Sequence, residues 1–467
     1  MVRNTNKNSV FNKLSNPLSY TFFYTRATIN NDRKISIVVC IILITIVVDT
    51  MINQNVDRLV AQNTSPLGIS LYMLIVSVCI IGQYLVLYFA KEKTREIRSK
   101  SRYIGMLHTI ATIIQYFLIG VLILVMINVV VLQQYPTITL AIVTTATYGL
   151  NIGLMGIFAQ IFFSWYRWNR YSIAVLLYGL SFAVIVINSS IFLGGSLYRF
   201  IEKPLHISPY SKVVFPVLEE GSFRHKLAEA YHFSDIAAFL LKWIATVFLL
   251  HHYSQKIGKI KYWLLVSLPL VYFLGTFVDD FHIYKPHSDE EKFYWYLYAS
   301  LNSTAGGILF GIGFMLGAKH FPERSSIKDY MMISGVGFIL FFSAGQSTLN
   351  VTPYPPYGIA TMSFFGLSSY LILIGLYCSA ISVSEDIELR EHIKKSAQRE
   401  ARFLEGIGTA HMEKELIKRI IVKAKEEQKE LTAESGGVKP SISESDIINI
   451  VKEVENDVQK QNERNTT

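Results

Sequence analysis

Cysteine is scarce in this chain, with three in 467 residues, Cys40, Cys79 and Cys378. Each sits inside an apolar stretch, where a free thiol behaves as a small hydrophobe. So few, so placed, exclude a disulfide framework and any zinc-finger spacing. Charge is also sparse, at 17% of residues, against about a quarter in a typical soluble chain. The chain has no HExxH, no GxSxG, no Walker A sequence and no complete GxGxxG. Gly436-Gly437-Val438-Lys439 lacks the rest of a phosphate-binding loop. An enzyme therefore has no motif to rest on, and no cofactor is expected. Ile35 to Val48 runs into Asp49-Thr50 without a small-residue cleavage site, so it reads as a retained helix rather than a removed signal peptide.

What the chain has is apolar length. Half of it, 51%, is hydrophobic and the mean hydropathy is +0.33. About ten stretches approach or exceed the ~20 residues needed to cross a bilayer: 35–52, 67–90, 103–132, 137–164, 172–198, 236–253, 262–278, 293–317, 330–349 and 359–382. The connections alternate in charge. The segment 91–102 carries Lys91, Lys93, Arg95, Arg98, Lys100 and Arg102, and 165–171, 254–261 and 318–329 are basic too. Between them, 133–136 and 350–358 carry no basic residue, 53–66 has Arg58 alone, and 279–292 is acidic. The long connection 199–235 is the exception, and there acids accompany the bases. Lys and Arg are retained on the cytoplasmic side. The pattern predicts an all-α polytopic integral membrane helix bundle of about ten transmembrane helices in the cell (plasma) membrane, with both termini cytoplasmic. The same placement accounts for the net charge of +9 without nucleic acid, and the lipid bilayer is the expected partner.

Three regions follow: a basic cytoplasmic segment 1–34, the bundle 35–382, and a charged helical tail 383–467. In the tail, Leu404, Met412, Leu416 and Ile420 recur at helical intervals, with Gly406 and Gly408 expected to break the helix once. A final helix carries Ile447, Val451, Val454 and Val458, spaced as in a coiled coil. This stripe is the candidate interaction surface for a cytoplasmic or membrane protein. Residues 222–231 are expected to form a short interfacial helix.

The candidate functional residues are ionisable groups near the outer face. Lys242 lies about 9 Å into the sixth span by helical rise, Asp49 near the end of the first, and Asp279 and Asp280 at the end of the seventh. Intramembrane charge is costly and usually paired, so these four could form an ion-paired pocket. The blander alternative is a snorkelling lysine and helix-ending acids. His282, His287 and Asp289 are weak metal candidates, since their spacing matches no defined site. Gln83, Gln115, Asn128, Asn151, Gln160, Asn188 and Asn302 are deep polar groups, suited to helix–helix hydrogen bonds or to a transport path. Gly149/Gly153, Gly307/Gly311 and Gly313/Gly317 are pairs that permit close helix approach. The run Gly345 to Gly358, rich in proline, predicts a stiff, non-helical connection. Asn63 and Asn350 stand in glycosylation sequons.

The sequence from Pro353, PYPPYGIATMSFFGLSSYLILIGLYCSAISVSEDIELREHIKKSA, and then FLEGIGTAHMEKE to Glu415, resembles a family of uncharacterised archaeal multi-pass membrane proteins. In that family a similar last span runs into a charged helix; the resemblance implies no catalytic residue. More loosely, the architecture is similar to the membrane input regions of prokaryotic sensors. The expectation is a non-enzymatic sensory or signalling membrane module acting through its tail, residues 385–467. A transporter or permease, and a structural subunit of a membrane complex, are the alternatives.

Overall fold

A computed structural model describes residues 17–54, 65–168, 173–201, 204–210, 221–251, 258–280, 306–316, 326–345, 354–385 and 399–434, with the single residues Ser288, Glu291, Tyr294 and Leu297. The described chain is mainly helical, with one short strand pair. In order it forms α1 (Pro17–Gln54), α2 (Pro66–Lys93), α3 (Arg95–Lys100) and α4 (Arg102–Ile127), which ends in a π-helical turn (Asn128–Leu132). After β1 (Tyr135–Pro136) come α5 (Thr137–Trp168) and α6 (Ile173–Ile201), then β2 (His206–Ile207), α7 (Phe223–Leu250) and α8 (Lys259–Asp280). The helix α9 (Gly306–Leu316) precedes α10 (Ile327–Ala344), α11 (Ile359–Met362), α12 (Phe364–Glu385) and α13 (Arg399–Glu434).

Seven segments are helical, long and apolar enough to cross a membrane: Ile35–Asn53, Pro66–Lys93, Arg102–Leu132, Thr137–Trp168, Ile173–Ile201, Ile327–Ala344 and Ile359–Glu385. The protein is thus a membrane-embedded helix bundle. Helices also cover the sixth and seventh expected spans. α7, however, opens with Arg224, His225, Lys226 and Glu229, and α8 with Lys259 and Lys261. The separate interfacial helix expected at 222–231 does not occur. Ser222 caps α7, accepting the His225 N–H at 3.2 Å, and the helix runs unbroken to Leu250. Ser65 likewise caps α2, with Pro66 in its first turn, where the missing N–H costs nothing.

α12 is the axis of the bundle. It is apolar all round, and nearly every residue from Phe364 to Val383 is buried. A helix apolar on every face can be satisfied by protein on every side. It runs antiparallel to α10, and α10 runs antiparallel to α9, at glycine contacts. A Cβ on Gly311 of α9 would sit 2.5 Å from the Gly335 carbonyl of α10, and one on Gly375 of α12 would sit 2.6 Å from the Tyr330 carbonyl. Gly307 and Gly311 therefore serve close approach, as their spacing predicts. Gly149 and Gly153 face open space instead.

The two ends differ. The basic end carries the Lys91–Arg102 segment and Arg167, and an ion pair joins Lys93 of α2 to Asp329 of α10 at 2.9 Å. α13 packs onto this end. It is one continuous helix through Gly406 and Gly408, contrary to the expected break. The reason is packing: a Cβ on Gly408 would lie 2.7 Å from Cβ of Val383, so the glycine lets α13 press onto α12. The buried face is Ile407, Ala410, His411 and Ile417, while Leu416 is half-exposed. It is offset by about one residue from the expected stripe of Met412, Leu416 and Ile420.

At the opposite end β1 pairs antiparallel with β2, joining two connections through Tyr135–Ile207 and Pro136–His206. The stiff segment Tyr354–Gly358 is buried there rather than lying over the surface. Tyr354 Oη donates to the Val129 carbonyl, and Tyr357 Oη to that of Gly68, both at 2.7 Å.

Candidate functional site

The deep polar residues mostly bind helix to helix. Gln115 Nε2 donates to Gln83 Oε1 at 2.6 Å, and Gln83 Nε2 donates to Ser363 Oγ. Asn151 donates to Ser189 Oγ and accepts from Ser369 Oγ, each at 2.6 Å, tying α5 to α6 and α12. His108 Nδ1 is 2.7 Å from Tyr370 Oη. These bonds engage Gln83, Asn151 and His108 between helices, while Gln115 Oε1 is buried without a hydrogen-bond partner.

One set of polar groups lines a space instead. A cavity of about 60 Å³ lies among α5, α6, α7, α8, α10 and α12, room for a few water-sized groups. Lys242 and Asp235 of α7 line it, with Asn188, Tyr148 and Tyr231, and its remaining walls are largely aromatic. Lys242 is 2% exposed. Its Nζ lies 4.2 Å from the ring centre of Phe342 and 5.1 Å from that of Phe341. Two ring faces thus stand where water would solvate an exposed ammonium. Cation–π contact is worth about 2 kcal/mol when desolvated, a fraction of the cost of burying a charge. Asn188 Nδ2 donates to the Tyr231 carbonyl at 3.1 Å and to Ser234 Oγ at 2.9 Å, fixing α6 against α7 at the cavity wall. Tyr148 stacks on Phe192 at 4.5 Å and packs on Phe365 of α12 at 5.0 Å. An ammonium, a carboxylate and phenol groups inside aromatic walls can bind and orient a small polar molecule.

The four residues singled out by sequence do not share this cavity. Asp49 is buried, but both its oxygens are engaged at the start of α11. Oδ1 accepts the Gly358 N–H at 3.0 Å, and Oδ2 accepts the Thr361 hydroxyl. The register of α7 with α8 separates Lys242 from Asp279 and Asp280. Phe239 stacks on Phe273 at 4.0 Å, Trp243 Nε1 donates to the Val266 carbonyl at 2.9 Å, and Tyr262 Oη to that of Val247 at 2.8 Å. Counted from the Phe239–Phe273 pair, Lys242 and Asp279 lie in opposite directions, roughly 13 Å apart along the helices. His282, His287 and Asp289 lie outside the described residues, as do Ile447, Val451, Val454 and Val458, and Asn63 and Asn350. Among the described residues no cluster of His, Cys and carboxylate side chains could hold a metal ion.

Asp235 is the residue that sequence reasoning missed. The signal was present: Asp235 and Lys242 are seven apart, two turns along one helix face. The aromatic pair Phe341-Phe342 carried no comparable signal, because its relation to Lys242 is set by packing between α7 and α10.

Comparison with protein-family models, with curated proteins and with solved structures finds no match to this chain.

Proposed function

We propose that this protein is a sensory or signalling membrane module, in which the cavity at Lys242 and Asp235 receives a small polar ligand and α13 is the output element. One observation carries the reading. α12 lines the cavity through Phe365 and contacts α13 through Val383 and Tyr377, the Tyr377 ring lying 5.5 Å from that of His411. A rigid helix shared by both places can pass a shift of 1–2 Å from one to the other.

In this reading the basic end is cytoplasmic by the positive-inside rule. α7, α8 and the segment around α9 complete ten spans, and both termini lie inside the cell membrane. α13 and the residues beyond it meet a cytoplasmic or membrane protein, since the sequence contains no recognisable output enzyme. The test is affinity purification in mild detergent with mass spectrometry, comparing the full chain with one ending at Ser384. Partners lost with the tail support the reading. An unchanged set of partners overturns it and moves function into the bundle, where transport assays would follow.

A further inference from the structure

At the basic end lies a second space, far larger than the cavity at Lys242. It is an open groove of about 1500 Å³ between α13 and the bundle, walled by the α3–α4 junction, α5 and α12. Its composition changes along its length. The rim carries five cations: Arg102, Arg167, Lys414, Lys418 and Arg419. All five are exposed, and among the described residues none forms an ion pair. Glu385 and Glu415 are the carboxylates present. Deeper in, the α5 wall is mainly apolar, with Ile157, Ile161, Phe163 and Trp165, and Gln160 and Ser164 are its polar members. Arg167 and Ile157 stand on one helix ten residues apart, so the wall climbs roughly 15 Å from the basic rim. α5 is one of the helices long and apolar enough to span a membrane, and this wall runs from its basic end toward its middle.

We propose that the groove seats an anionic glycerophospholipid. The headgroup phosphate lies among the guanidinium and ammonium groups of the rim, and an acyl chain lies along Ile161 and Ile157. Both halves of the groove are needed for this choice. A soluble phosphate or nucleotide would use the rim and leave 15 Å of apolar wall uncovered. A zwitterionic lipid would use the wall and leave a surplus of positive charge at the rim. Arg suits the phosphate because its planar fork donates two parallel bonds to one anion. Tyr103 and Tyr377 border the groove where headgroup meets hydrocarbon, the depth that amphipathic rings prefer. Because α13 forms one wall, a seated lipid would bridge α13 to α5 and make its docking depend on membrane composition. None of this requires a ligand at Lys242, so it stands apart from the signalling reading.

The experiment is native mass spectrometry of the full chain from mixed micelles of phosphatidylglycerol and phosphatidylcholine. Selective retention of phosphatidylglycerol is expected. The triple variant Arg102→Gln, Arg167→Gln, Lys418→Gln should weaken it about 100-fold, from the contribution of each basic group near an anionic surface. These positions are exposed, and circular dichroism should show an unchanged helix content. A charge-matched control, Lys259→Gln, Lys261→Gln, Lys328→Gln, removes three cations from outside the groove and should leave retention within about threefold. Equal loss in both variants, or equal retention of the two lipids, overturns the proposal. Glycerophosphoglycerol, the headgroup without acyl chains, is the third probe. If it competes as well as the whole lipid, the apolar wall is unused and the site takes a soluble phosphate ester instead.

Discussion

Replacing Asp49 tests the construction of the end opposite the tail. Its carboxylate is buried where α11 begins, just after the run Tyr354-Pro355-Pro356-Tyr357-Gly358. Gly358 takes φ +89° there, a left-handed conformation that glycine adopts without strain. Its N–H donates to Oδ1 at 3.0 Å, the hydroxyl and backbone N–H of Thr361 supply further bonds, and the partners are 309 and 312 positions apart in sequence. The first N–H groups of any helix lack partners within it, and here no solvent replaces them. A hydrogen bond to a charged group contributes about 1.5–3 kcal/mol. Asp49→Ala strips both backbone donors, while the Thr361 hydroxyl can turn to another acceptor. The expected loss is about 3–5 kcal/mol, after part is recovered by no longer burying a charge. Asp49→Asn keeps one acceptor and turns an amide toward a donor, for a loss of about 1.5–3 kcal/mol.

The assay is unfolding in mixed detergent micelles, followed by circular dichroism, with Thr361→Val as a third variant. Thr361→Val removes the hydroxyl bond alone and should cost about 1 kcal/mol. The order Ala, Asn, Val is as informative as the sizes. If Asp49→Ala falls within about 0.5 kcal/mol of the native chain, the size expected of a surface change, the carboxylate does not hold α11 and the account of this end fails.

Three further outcomes follow from the same reasoning. Lys242→Met should be neutral or stabilising, since it removes a buried charge, whereas Phe342→Ala should cost about 3 kcal/mol or more by leaving a cavity beside an uncovered ammonium; a double-mutant cycle should give a coupling near 2 kcal/mol, and strict additivity would rule out the cation–π contact. Gly408→Val cannot fit against Val383, so trypsin should cut at Lys414 and Lys418 faster than in the native chain while the bundle unfolds as before; equal cutting would mean that α13 is not held there. Burial holds the His411 imidazole below its ordinary pKa of 6.5, with Glu415 raising it and Lys414 lowering it. The unfolded or undocked helix then binds the proton more readily, so docking of α13 is fully present above pH 6.5 and weakens as pH falls below it; proteolysis of α13 that is flat between pH 7.5 and 5.5, or that slows on acidification, would contradict this.

The helices were legible in the sequence because each is written in its own residues: long apolar runs with charge clusters at their ends. Gln83, Gln115, Asn151 and Asn188 were legible in kind, since a deep amide in a membrane helix mostly finds another helix, though their partners were not. What hydropathy could not separate is α12 from α4. Both are apolar throughout, yet α12 is enclosed by protein while α4 turns Ile113 and Phe117 outward, 62% and 52% exposed. Lipid tails are as apolar as leucine, so composition carries no record of which helix is central. The glycines of the tail misled for a related reason. Gly406 and Gly408 read as a break because glycine disfavours a helix in isolation, but a close neighbour turns the missing Cβ into room for Val383.

The pairing expected of Lys242 failed on similar ground. The expectation rested on similar depth for Lys242, Asp49, Asp279 and Asp280, but the α7–α8 register sets Lys242 and Asp279 roughly 13 Å apart along the helices. Asp49 is claimed by α11, and the α7–α8 register carries Asp279 away. What remains beside Lys242 is Asp235 on its own helix and two rings of α10. The same helix that closes this cavity, α12, also walls the basic groove, with Phe365 near one end and Ile381 near the other. Sixteen residues of continuous helix separate them, roughly 24 Å, with close glycine contacts to α10 along the way. In the proposed reading, a lipid at the groove and a small molecule at Lys242 would be linked through α12, which borders both spaces.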